Sequence, residues 1–164
     1  MKMKQELKKA KKRIYIDTSN AGGYFEEEFE TETKALFQRL ENKEVIFVVS
    51  EVLEQELEKA PYYVRELINN LDDDCIEAVE LTEDAKALAD CYVEEGIVNI
   101  KHIDDCRHIA IATINNVNVL ASWNFKHIVN LDKIEIYNSV NLRYGYKVIE
   151  IRNPKELINY GIGF

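Results

Sequence analysis

With 164 residues the chain has the length of one domain and can bury a sizeable core. Hydrophobic residues make up 46% and charged residues 31%, ordinary for a globular protein, and no apolar run approaches the roughly 20 residues that span a bilayer. The formal charge of −9 argues against nucleic-acid binding by bulk electrostatics and leaves a metal-dependent site open. Its distribution is uneven: residues 1–13 hold seven basic residues and one Glu, and the other 151 hold 14 basic and 29 acidic residues. Residues 1–12 read as a basic N-terminal segment, either a solvated terminus or an RNA-contacting arm, and 13–164 as a single domain. No apolar segment of signal-peptide length follows the basic start, so the expected location is the cytoplasm. Cys75, Cys91 and Cys106 lack CxxC or Cys/His zinc spacing and read as reduced core thiols.

In chain order, RIYI (13–16) predicts a strand and 25–41 an acidic amphipathic helix. VIFVV (45–49) is a continuous apolar run, as in a strand buried on both faces. Ser50 is an N-cap for a helix over 51–59, and Pro61 can start another running to about Leu71. CIEAVEL (75–81) predicts a strand, and Thr82 caps a helix ending at Gly96. A buried helix over 104–115, a strand VNVLA (117–121), a helix over 132–144 and a strand YKVIEI (146–151) follow, and Asn153-Pro154 caps a last short helix. Strands alternating with helices predict an α/β fold with a mainly parallel sheet, whose sites lie at the carboxyl ends of the strands.

Three places along the chain carry unexplained polarity. IYIDTSN runs three large β-formers into Asp17, where either a solvated turn or a cation at the sheet edge would account for the carboxylate. In SEVLEQELEKA, at about 100° per residue, Glu56 falls inside the arc of Val52, Leu53 and Ala60, whereas Glu51, Glu54 and Glu58 fall outside it. A Glu there is either paired with a cation at the margin of the apolar face or holds a metal. The buried helix in HIDDCRHIAIATINN opens on Asp104 and Asp105, of which a helix cap needs only one. After the next strand comes SWNFKH: Trp123 and Phe125 read as packing residues, Asn124 as a turn former or a ligand to a metal or its water, and Lys126 and His127 as solvated surface or phosphate contacts.

Together these segments resemble the PIN domain, in particular VapC-like toxins of bacterial toxin–antitoxin pairs, over nearly the whole chain from residue 13. IYIDTS is similar to the family's first motif, SEVLEQEL to its S-x5-E-L motif, which selects Glu56, and DDCRHIAIAT to its D-x-x-x-I-A-x-A helix start, which selects Asp105. SWNF resembles the segment where many members carry T-x-D, with Asn124 in place of the acid. The resemblance implies a three-layer α/β/α fold and a metal-dependent endoribonuclease with Asp17, Glu56, Asp105 and Asn124 as its metal-binding and catalytic residues. It further implies an RNA substrate, an antitoxin partner and a homodimer. Oxygen-only ligands favour Mg²⁺ or Mn²⁺, and with no residue placed as a nucleophile, water attack is the expected route. Ser19 would orient water, and Asp104 is a reserve ligand. The alternative is a catalytically inactive PIN-like protein that binds RNA or an antitoxin. A phosphoacceptor enzyme of the haloacid-dehalogenase type would want a second Asp two residues after Asp17, where Ser19 stands. A receiver domain would want a Lys after the last strand, where Arg152 stands, and Ala21-Gly22-Gly23 is neither a P-loop nor a dinucleotide-binding motif.

Overall fold

The structure, a computed structural model, describes residues 10–161. Most of the basic start therefore lies outside the described residues, and Lys12 already belongs to a strand. Five strands, β1 (Lys12–Ile16), β2 (Val45–Ser50), β3 (Ile76–Val79), β4 (Val119–Ala121) and β5 (Ile151–Arg152), form one sheet in the order β3-β2-β1-β4-β5. Every pairing is parallel. The chain winds from β1 outward through β2 to β3, then crosses to β4 on the other side of β1. The carboxyl end of β1 is therefore the point where the winding reverses, which is where α/β sheets build their sites.

Side-chain alternation along β1 divides the interior in two. Ile14 and Ile16 face one layer with Val45, Phe47 and Val49, against α2 (Glu30–Glu41), α3 (Glu51–Glu58) and α4 (Tyr62–Asn69). Tyr15 and Val48 face the other, against α5 (Glu83–Glu94), α6 (Ile103–Ile114) and α7 (Leu131–Arg143). The result is a three-layer α/β/α fold. From Ile109 to Ala112 α6 is fully buried, as its apolar sequence predicts. Among the described residues no helix is long and apolar enough to cross a membrane.

The caps predicted at Ser50, Thr82 and Asn153 are in place, whereas α6 opens after His102 without a side-chain cap, Asp104 and Asp105 lying in its first turn. Ser50 Oγ accepts from the Leu53 amide at 3.3 Å, Thr82 Oγ1 from Ala85 at 3.2 Å and Asn153 Oδ1 from Glu156 at 3.0 Å. Gly96 follows α5 with φ +78°, a conformation glycine adopts without strain. Several boundaries differ from the sequence reading, among them the strand expected over 117–121, which starts at Val119. The helix expected over 25–41 starts at Glu30, and a separate short helix, α1 (Thr18–Gly23), precedes it because Asp17 caps its first turn. The strand expected over 146–151 is reduced to Ile151–Arg152, because the Asn138 side chain takes both the N–H (2.7 Å) and the carbonyl (3.1 Å) of Ile149. The 75–81 strand shortens to Ile76–Val79, with Cys75 in the 3-10 turn Asp73–Cys75 before it. Asn153-Pro154 opens α8 (Pro154–Glu156), which runs into a π-helical turn, Leu157–Gly161. All three thiols are free; Cys75 and Cys106 are buried, and Cys91 is half-buried.

Candidate functional site

Asp17 is buried directly beyond the end of β1. Its Oδ1 accepts from Ser19 Oγ at 2.5 Å and Asn20 Nδ2 at 2.9 Å, and its Oδ2 from Ser122 Oγ at 2.5 Å. Asn20 also donates to the carbonyl of Ala121 at 2.6 Å, and Ser19 Oγ accepts from the Trp123 amide at 2.8 Å. These bonds join the carboxyl ends of β1 and β4 around a single carboxylate. Burial pushes Asp17 above the usual carboxylate range, against the pull of the His108 charge and of the Ser122 and Ser19 hydroxyls.

Glu56 projects from α3 and is paired, not with Lys or Arg but with His108 of α6, whose Nε2 lies 2.5 Å from Glu56 Oε1. The other ring nitrogen of His108 lies 2.6 Å from Tyr15 OH, which in turn lies 2.7 Å from Ser50 Oγ. A buried chain Ser50–Tyr15–His108–Glu56 thus runs from the end of β2 through the sheet centre to α3. Burial alone would raise Glu56, yet the hydrogen bond and charge of His108 hold it below the usual range. Burial would likewise lower His108, but Glu56, then Asp17 and Asp105, push it above 6.5.

Asp105 lies in the first turn of α6 and is half-buried. Burial raises it, His108 and a hydrogen bond from Asn124 pull it down, and the charges of Asp17 and Glu56 push it up again. His108, bonded to Glu56, thus also feels the charges of Asp17 and Asp105, and Asp105 feels those of Asp17 and Glu56. Asp104, the reserve ligand, is 58% exposed and lies 3.8 Å from Arg107 instead. Asn124 uses its Oδ1 to accept the His127 amide at 3.0 Å, so its amide group is what meets Asp105. Trp123 is buried, donating to Thr33 Oγ1 at 2.8 Å and stacking on Phe29 with centroids 4.4 Å apart. Phe125, expected to pack, is instead 47% exposed. Among the described residues, the group whose ligand atoms all lie within 4.8 Å of one another is His102, Asp105 and His127; Asp17 and Glu56 are not part of it.

The sequence reading missed His108 and its Tyr15 partner. The signal was present: His108 stands three residues after Asp105 on the same helical side, inside an otherwise apolar run, the pattern that singled out Glu56.

No protein-family model matches the chain, and no curated protein does. Solved structures do. VapC20 of Mycobacterium tuberculosis, a sarcin–ricin loop cleaving toxin, superposes with a TM-score of 0.52 at 12% identity, over 70% of this chain and 92% of that one. VapBC2 of Rickettsia felis, solved bound to a DNA fragment from its promoter, gives 0.54 at 13% identity over 86% and 98%. FitAB bound to a DNA fragment gives 0.57 at 13% identity over 90% and 99%. At such identities the likeness is one of fold, and the fold is PIN-like, of the VapC type.

Proposed function

We propose that the chain is a metal-dependent endoribonuclease, the toxin of a toxin–antitoxin pair, hydrolysing RNA phosphodiester bonds by water attack with Mg²⁺ or Mn²⁺ at Asp17, Glu56, Asp105 and Asn124. The observation that carries it is the buried Asp17 carboxylate at the winding-reversal point of the sheet, with Glu56 bonded to the buried His108, which also feels the charges of Asp17 and Asp105. The donor set suits a hard divalent ion. All three carboxylates offer oxygen, and burial holds Asp17 and Asp105 above the usual range, a deficit of positive charge that a cation would meet. Asp17, Glu56 and Asp105 would hold the ion directly or through water. When bound, it supplies Lewis-acid polarisation of the phosphodiester and a more acidic attacking water.

The chain's own groups set the stage for that chemistry. Ser19, Asn20 and Ser122 fix the Asp17 carboxylate in one orientation. His108, held by Tyr15, fixes Glu56. A protonated His108 also offsets one of the three negative charges, so a divalent ion would bring the group to neutrality and a phosphodiester could approach without repulsion.

Titration with Mn²⁺ by calorimetry on the wild type and Asp17→Asn, with cleavage of a labelled single-stranded RNA read in the same samples, tests this. Binding and cleavage lost together in the variant support the nuclease. Absence of binding in the wild type sinks the site. Binding without cleavage would favour the second reading, a catalytically inactive PIN-like protein that binds RNA or an antitoxin; the commitment of Asn124 Oδ1 to the His127 amide speaks for it. An antitoxin partner and a homodimer are proposed from the VapC-type fold, and light scattering of the purified chain tests the dimer.

A further inference from the structure

We propose that the turn before α6 and the turn after β4 together form the seat of the substrate strand beside the carboxylates: Lys101, His102, Lys126 and His127 hold an RNA phosphate, and Phe125 stacks an unpaired base. This rests on the nuclease reading above and adds to it where the strand lies. Beyond residue 13 acidic residues outnumber basic ones 29 to 14, so a polyanion needs a local cationic patch to approach. Such a patch stands beside Asp105. Lys101 and His102 lie in the 3-10 turn Ile100–His102, and Lys126 and His127 follow β4. The rings of His102 and His127 lie with centroids 4.0 Å apart, tilted by 33°. Lys133 of α7 reaches in, its Nζ 3.4 Å from His127 Nδ1 and donating to the Lys126 carbonyl at 2.8 Å. Both lysines of the two turns are exposed.

The same cluster could be read as a cation site, since His102, Asp105 and His127 bring ligand atoms within 4.8 Å. Its surroundings decide otherwise. Lys133 Nζ lies 3.4 Å from His127 Nδ1, and the exposed Lys101 and Lys126 directly precede the two histidines, so three ammonium groups attend the cluster against the one carboxylate of Asp105. Ammonium groups placed there repel a cation and attract an anion. Phe125 adds the second half of the seat. It is exposed, yet Trp123 and Phe29 hold it with centroids 6.1 and 6.4 Å away. A fixed, solvent-facing ring beside a phosphate seat suits a single strand, because a paired base has no free face to stack.

The test is cleavage of a labelled single-stranded RNA with Mn²⁺ at two salt concentrations, with anisotropy as an independent readout of binding. The variants are Lys101→Gln/Lys126→Gln, Phe125→Leu and Phe125→Trp. The double lysine variant should raise KM with kcat little changed, and flatten the dependence of log KM on log salt by about 0.7, the share of one phosphate on a single strand. Phe125→Leu should raise KM by about fivefold or more, and Phe125→Trp should restore it. Cleavage with KM and salt slope unchanged in the lysine variant overturns the seat and leaves the nuclease standing. Loss of Mn²⁺ binding in the lysine variant overturns it in favour of an altered metal site. RNA neither bound nor cleaved by the wild type overturns the seat and the nuclease together.

Discussion

Replacing His108 by Gln isolates the charge at the centre of the site. The amide nitrogen can donate to Glu56 as the imidazolium does, and the amide oxygen can accept from Tyr15 OH, which reverses its role from acceptor to donor, so both contacts have a neutral substitute and the positive charge is lost. Glu56 stays ionised and its bond from the amide remains charge-assisted, so what is lost is the attraction between two full charges in a half-buried pair, about 1–2 kcal/mol. The Glu56 side chain is 33% exposed, and solvent screening keeps the value toward the low end. For a chain of this size that is a fall in Tm of about 2–8 °C. The pH dependence is the sharper test. His108 has its folded pKa raised above 6.5, so its contribution is complete below that value and is lost as pH rises through the folded one. Thermal unfolding followed by circular dichroism, in EDTA, should therefore show the full difference between wild type and variant at about pH 6 and little at about pH 10. An equal difference at both pH values, or none at pH 6, would refute a charged His108.

Gly23→Ala sets a helix gain of about 0.5–1 kcal/mol against a Cβ lying 2.8 Å from Trp123 Cδ1 and 3.1 Å from Thr33 Oγ1. Overpacking costs about 1–3 kcal/mol, so the variant should be less stable, with altered fluorescence of the chain's single tryptophan; a more stable protein would show that the pocket yields. Asn124→Asp keeps an acceptor for the His127 amide but replaces the donor to Asp105 with a like charge. In EDTA its Tm should fall below that of the wild type, and Mn²⁺ affinity by calorimetry should rise; a fall in affinity would place Asn124 outside the metal shell. Asn141→Ala leaves the buried Tyr92 hydroxyl without its acceptor and should cost about 1–3 kcal/mol in denaturant unfolding. Tyr92→Phe/Asn141→Leu, which removes both partners, should recover much of that loss, and a double variant as weak as the single would refute the pairing.

Much of the fold was legible because its causes are local. Three strands and most helices announce themselves by apolar runs, helical phase and caps such as Ser50, Thr82 and Asn153, all within a few residues of what they organise. Asp17 and Glu56 were legible for the same reason, since each breaks the pattern of its own element. The proposed strand seat was half legible: Lys126 and His127 read as solvated surface or phosphate contacts, and nothing in the chain tied them to Lys101 and His102.

The sequence by itself determined an α/β chain of parallel strands and placed polar residues at the ends of particular elements. It could not determine what those residues meet. The Tyr15–His108 bond spans 93 residues and the His108–Glu56 bond 52, and long-range pairs leave no periodicity to read. The tertiary structure alone decided that Glu56 is paired with a histidine and that Asn124 turns its amide, not its oxygen, toward Asp105. It also cut the last strand to Ile151–Arg152, because Asn138 claimed the backbone of Ile149. In each case the physical reason is the same. A buried polar group must be satisfied, and which partner satisfies it is chosen by elements that meet only once the sheet has formed.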